Sequence, residues 1–201
     1  MPDPLTTLAV ATGGAFLGKF VGPAAEAIGK AAWEQAQQLG ARATAHLAAV
    51  GREPQPVEPK LLLPLVQAAS LESDPTLAEK WAALLANAAD PAQRVAVQPG
   101  FAEVLRQLSA DDASLLTKIY AEYEWSDEQP PRLFDVDYLS SQLKWDATQL
   151  NLSLDNLLRL RLVDALVTAV FGPAPTLRGN TALGITVYGE QFLKAVTPPT
   201  S

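Results

Sequence analysis

The placement of proline constrains this chain more than any other feature. Sixteen prolines occur in 201 residues, and none can donate the N–H that a helix interior or a central strand uses. Helices must fit between them. Arg52-Glu53-Pro54-Gln55-Pro56-Val57-Glu58-Pro59 packs three prolines closely together, which favours an extended, polyproline-like linker. Pro130-Pro131 makes a second break, and the apolar period changes after it.

Between the breaks the spacing is helical. An Ala- and Gln-rich helix is expected from Pro23 to Val50, with Pro23 in its first turn and Gly51 as its stop. Lys60 to Ser70 offers Leu61, Leu62, Leu65, Ala68 and Ala69 as one face, with Pro64 kinking the helix or delaying its start. Asp74-Pro75 opens a helix through a capping carboxylate and a proline at the first position. Leu77, Trp81, Leu84, Leu85 and Ala88 then share one side, until Asp90-Pro91 ends the helix. Another helix is expected from Pro99 to Leu108. Ser109 and Asp112 form a capping box for the helix Ala110 to Glu124.

Beyond Pro131, Asp135–Trp145 and Asp146–Leu160 read as short helices. Leu162–Phe171 reads as a strand, Gly172–Asn180 as a loop, Thr181–Thr186 as the partner strand and Tyr188–Val196 as a last helix. That order is the order of a winged helix. The expected fold is mainly α: a multi-helix body followed by a small winged-helix-like module with a two-stranded β-hairpin. Its expected divisions are a glycine- and alanine-rich helical region at 1–51, a linker at 52–59, the body at 60–129 and the module at 130–197.

Chemistry is narrowed by what is scarce. With no cysteine and one histidine, thiolate metal sites, disulfides, cysteine nucleophiles and His-rich metal centres are excluded. Neither phosphate-binding glycine loops nor zincin or EF-hand patterns occur, so no cofactor and no metal is expected. Fifteen Lys and Arg stand against 22 Asp and Glu, for a net charge of −7. Broad nucleic-acid binding needs the opposite balance.

Several stretches carry a family resemblance. They are Gly22-Pro23-Ala24-Ala25-Glu26-Ala27-Ile28-Gly29; Pro59-Lys60-Leu61-Leu62-Leu63-Pro64-Leu65, leading through Ala69-Ser70-Leu71-Glu72 to Trp81-Ala82-Ala83-Leu84-Leu85-Ala86-Asn87-Ala88-Ala89-Asp90; and Gln98-Pro99-Gly100-Phe101 followed by Leu105-Arg106-Gln107-Leu108-Ser109. Leu154-Asp155-Asn156-Leu157 and Ile185-Thr186-Val187-Tyr188-Gly189-Glu190-Gln191-Phe192 close the pattern. Together they resemble the abortive-infection alpha family, over about Leu17 to Val196. Its motif residues fall here on Pro23, Glu26, Glu72, Trp81, Leu84, Leu85, Asn87 and Asp90. Gly100 departs from the polar residue expected there, and 172–180 makes a long wing. The resemblance implies a role in bacterial anti-phage defence, with no established reaction and no catalytic residues to carry over.

Other features admit two readings each. Gly14, Gly18 and Gly22 recur every fourth residue, a helix stripe without side chains. It could serve close packing within the protein or a membrane-inserting face; packing is the commoner use. Leu5–Val21 is apolar but broken by Lys19, and Met1-Pro2-Asp3-Pro4 is no signal-peptide start. A cytoplasmic location is expected, with membrane association on activation through residues 5–22 left open. His46 stands seven residues from Glu53 and twelve from Glu34, and reads as a satisfied histidine, not a base.

Glu72, Asp74, Asn87 and Asp90 read as structural, with Asn87 placed to bond a neighbouring helix end and a converging metal site as the minority alternative. Tyr120, Tyr123, Trp125, Phe134, Tyr138 and Trp145 read as core packing, with a stacking surface as the alternative. From Asp111 to Ser201 there are 12 acidic and 7 basic residues, net −5. The candidate recognition helix 146–160 lacks a base-reading surface, and the wing offers only Arg178. The expected function is therefore a non-enzymatic phage-defence protein acting through protein or membrane contacts, with partners that include a second copy of the chain. The alternatives are a winged-helix DNA-binding regulator, or an adaptor or structural subunit of a larger complex.

Overall fold

Several helix ends of this protein rest on identifiable local devices. In the computed structural model the described residues are 30–92, 95–124, 136–166 and 182–200. They form eight helices and one two-stranded sheet: α1 (Lys30–Ala49), α2 (Pro59–Ala69), α3 (Pro75–Ala88), α4 (Gly100–Arg106), α5 (Ala110–Glu124), α6 (Val136–Leu143), α7 (Ala147–Arg159), β1 (Val163–Leu166), β2 (Ala182–Ile185) and α8 (Val187–Ala195). The protein is mainly helical, as expected.

Asp74 caps α3 by accepting from Thr76 N at 2.8 Å and Leu77 N at 3.1 Å. The capping box of α5 is complete: Ser109 Oγ accepts from Asp112 N at 3.1 Å, and Asp112 Oδ2 accepts from Ser109 N at 2.8 Å. Asp146 caps α7 through Gln149 N. At the other ends, α1, α6 and α7 each stop where one residue turns left-handed: Gly51 (φ 70°), Lys144 (φ 57°) and Arg161 (φ 60°). Behind each turn an N–H reaches back to the last full turn, from Arg52 to Leu47 O, Trp145 to Ser140 O and Leu162 to Leu157 O. These are Schellman closures, normally made with glycine. Lys144 and Arg161 pay the steric cost of a Cβ in that conformation.

The described residues separate into two compact units, one up to Gln107 together with those from Lys194 onward, the other Leu108–Leu193. In the first, α1 packs on α2 and α3, α2 packs on α3 and α4, and α3 packs on α4. The division falls ahead of α5, not at Pro130, and α1 shares a unit with α2–α4. The stretch expected to be a separating linker lies against this unit: Gln55 N donates to Ala89 O at 2.8 Å and Val57 is buried. Its last residue, Pro59, is already helical, and α2 runs through Pro64. Pro64 is exposed, so the carbonyl it cannot serve, that of Lys60, sits on the solvent side. The buried face of α2 is Leu62, Leu65, Val66 and Ala69; Leu61 and Ala68 are only half-buried.

Helix α3 differs most from its expected form. Every residue from Trp81 to Asn87 is buried, including Ala82, Ala83 and Ala86 on the side opposite the leucines, while Ala88 is half-buried. Alanine on that side lets neighbouring helices approach closely, so this stretch is enclosed all round, while Pro75, Thr76 and Glu79 nearer the amino end are exposed.

In the second unit, α5 packs on α7 and β2, and α7 on β1. Asp112 Oδ2 accepts from Asn156 Nδ2 at 2.8 Å, and Asp111 Oδ2 from Gln149 Nε2 at 2.9 Å. Strands β1 and β2 pair antiparallel with Val163 opposite Ile185 and Leu166 opposite Ala182. Leu162 and Thr186, expected within the strands, lie just outside them, and residues 167–181 lie outside the described set. Thr186 then starts α8: its Oγ1 accepts from Gly189 N at 2.8 Å and donates to Arg161 O at 2.6 Å.

Two stability predictions arise here. A Cβ on Gly189 would stand 1.9 Å from Leu162 O, a backbone atom; Gly189→Ala should cost about 2–3 kcal/mol. Arg161→Gly should stabilise by about 0.5–1 kcal/mol, because it relieves the left-handed strain at an exposed position. Urea denaturation measures both.

Candidate functional site

The polar residues of the family-like stretch lie at the two ends of α3. Glu72 and Asp74 stand at its amino end, Asn87 and Asp90 at its carboxyl end. Fourteen residues of helix separate the pairs by about 20 Å, so the four do not converge on one ion. Among the described residues no group of three His, Cys, Asp or Glu could hold a metal.

At the carboxyl end the chemistry is that of a clamp. Asn87 Nδ2 donates to Ala195 O at 2.9 Å and to Thr197 O at 2.7 Å, with Lys194 O at 3.4 Å. It thereby caps carbonyls that the end of α8 leaves without helical partners. Asn87 meets a helix end, as its position in the sequence suggested. Asp90 is 3% exposed and accepts from Arg52 Nη1 at 2.6 Å and from Ala92 N at 2.9 Å. Arg52 Nη2 also donates to Thr200 O at 2.8 Å. Two residues 38 positions apart in sequence thus form a buried ion pair that ties the proline-rich strap, the end of α3 and the chain terminus together.

At the amino end lies a cavity of about 290 Å³ between α1, the α2–α3 turn and α3. Gln35, Gln38 and Arg42 line it from α1, at spacings of three and four residues that put them on one helix face. Glu72 lines the opposite side, with Ala78 and Trp81 contributed by α3. Glu72 Oε1 accepts from Ser73 N at 2.9 Å and Asp74 N at 2.8 Å, which fixes the carboxylate. The Trp81 ring is 1% exposed, and its Nε1 has no hydrogen-bond partner. Arg42 is exposed and has no ion-pair or hydrogen-bond partner among the described residues. Two of the motif residues, Glu72 and Trp81, therefore border a cavity that no spacing in the sequence revealed, because its other wall comes from α1.

His46, one turn beyond Arg42 on α1, places Nε2 2.8 Å from Glu79 Oε1 on α3. The distance is that of an ion pair, but the alignment is not that of a hydrogen bond. Neither Glu34 nor Glu53 is its neighbour. Next to Glu79, Lys80 is half-buried, and desolvation holds its ammonium below the ordinary lysine range.

Several candidates lie outside the described residues: Gly14, Gly18, Gly22, Pro23 and Glu26, together with Trp125, Phe134 and Arg178. Of the remaining aromatics, Tyr138 is 41% exposed, while Tyr120 and Trp145 are half-buried. No helix among the described residues is long and apolar enough to cross a membrane.

A mainly helical protein of two units, with motif polar residues at both ends of an enclosed helix, is the class that the fold defines. The family model for abortive infection alpha matches residues 32–196, and the chain belongs to that family. Searches of curated proteins and of solved structures find no match.

Arg52→Ala should cost about 3 kcal/mol, because it leaves the Asp90 carboxylate buried without its cation. Arg52→Ala/Asp90→Ala should cost clearly less than the sum of the two single variants. Chemical denaturation of the three variants measures the coupling.

Proposed function

We propose that the protein is a bacterial anti-phage protein of the abortive-infection type, that it acts through contacts with protein partners, and that it makes no covalent bond itself. The observation that carries this reading is the family match across residues 32–196. Three polar side chains of the family-like stretch support its second half. Asp74 is engaged by a helix cap, Asn87 by helix-end carbonyls and Asp90 by an arginine. Groups held this way maintain the fold and are not presented to a substrate.

Residues 108–193 are read as a winged-helix-like module on the order α5–α6–α7–β1–β2. Helix α7 turns Leu152 to solvent at 67% exposure, and Val187 at the start of α8 is 78% exposed. Apolar side chains on an acidic module suit a protein surface as partner better than phosphate. A gel shift with duplex DNA at physiological salt is expected to be negative.

Expression in a bacterial host followed by phage challenge tests the main reading. Fewer plaques, with collapse of the culture at high phage number, is the expected result. An unchanged plaque count would overturn it, and turnover of any nucleotide, sugar or peptide that one side-chain substitution abolishes would overturn the non-enzymatic half.

A further inference from the structure

The cavity at the amino end of α3 has a chemistry that the clamp at the other end lacks: its polar groups are not used up by the fold. Arg42 brings a positive charge without a partner among the described residues. Across the cavity, Glu72 brings a carboxylate whose Oε1 is held by two backbone N–H groups while Oε2 makes no hydrogen bond among the described residues. Gln35 and Gln38 add amides that both donate and accept. The Trp81 indole borders the same space with a buried N–H that has found no acceptor. A buried tryptophan N–H is usually paired, and each exception in a native protein calls for an explanation.

Opposed single charges select a ligand that carries both signs. We propose that this cavity binds a small zwitterion, with its anionic group on Arg42, its ammonium on Glu72 and the backbone-like polar groups between them on Gln35 and Gln38. A volume of about 290 Å³ lies at the lower end of ligand pockets, which suits a free amino acid or a dipeptide. The binding reading stands apart from the phage-defence reading, since it concerns the purified protein alone.

The test is thermal unfolding of the full chain with single free L-amino acids and with glycylglycine or alanylglutamine, followed by calorimetric titration of the probes that shift Tm. At about ten times Kd the expected rise in Tm is about 3–6 °C. Arg42→Ala, an exposed and unpaired position, should weaken binding at least about tenfold without lowering the Tm of the unliganded protein. Arg106→Ala, outside the cavity lining, should bind as the parent does. Free amino acids shifting Tm more than dipeptides would assign the site to a metabolite, and the reverse order to the end of a peptide; both support a zwitterion. Failure of every probe to shift Tm overturns the proposal. So does an equal shift with acetate at the same concentration, or affinity unchanged in Arg42→Ala.

Discussion

Enclosure of α3 from Trp81 to Asn87 is the constraint from which the first unit is built. A helix that turns apolar or small side chains in every direction must be covered in every direction, and α1, α2 and α4 supply the cover. Burying Trp81, Leu84 and Leu85, each at 1% exposure or less, contributes about 2–3 kcal/mol per side chain. The return depends on close approach, and Ala82, Ala83 and Ala86 permit it. The ends of such a helix leave backbone groups without helical partners. Asp74 satisfies the first turn, and the last turn closes through the backbone N–H groups of Ala89 and Asp90. Immediately beyond, Asn87 and Asp90 turn outward from the helix end to hold the chain terminus and the proline-rich strap.

The second unit depends on a crowded crossing of backbone at Leu162. Its N–H closes α7, its carbonyl accepts from Thr186 N at 3.1 Å, and the same carbonyl lies where a Cβ of residue 189 would go. One residue therefore ends a helix, begins a hairpin and sets the entry of the final helix. That requirement gives the segment Thr186-Val187-Tyr188-Gly189 a physical reason to carry a hydroxyl at its start and no side chain at its fourth position.

Most of the element boundaries were legible because the devices that set them are local. Asp74-Pro75, Ser109 with Asp112, and Gly51 act on N–H and C=O groups within about five residues, so the chain displays them directly. What was hidden is what depends on a distant partner. Periodicity assigned α3 one buried side, since alanines look equally at home facing solvent or a close neighbour. The linker at 52–59 looked free because Arg52–Asp90 and Gln55–Ala89 join residues more than thirty positions apart. His46 was measured against carboxylates near it in sequence, whereas Glu79 comes from a packed helix. Lys144 and Arg161 gave no warning of left-handed turns, which glycine would have advertised.

The same division between local and distant explains how the site was read. Glu72, Asp74, Asn87 and Asp90 share one stretch of sequence, and the fold separates them to the two ends of α3. Asn87 and Asp90 spend their hydrogen-bonding capacity on backbone and on Arg52, so substituting them acts through stability. Glu72 and Trp81 keep unused capacity beside a cavity, and they gain a cation only because α1 packs across α3 and brings Arg42 over the gap. A binding surface of this kind is created by helix packing and belongs to no single segment. A motif confined to α3 can show which residues matter, but not which of them face something other than the protein itself.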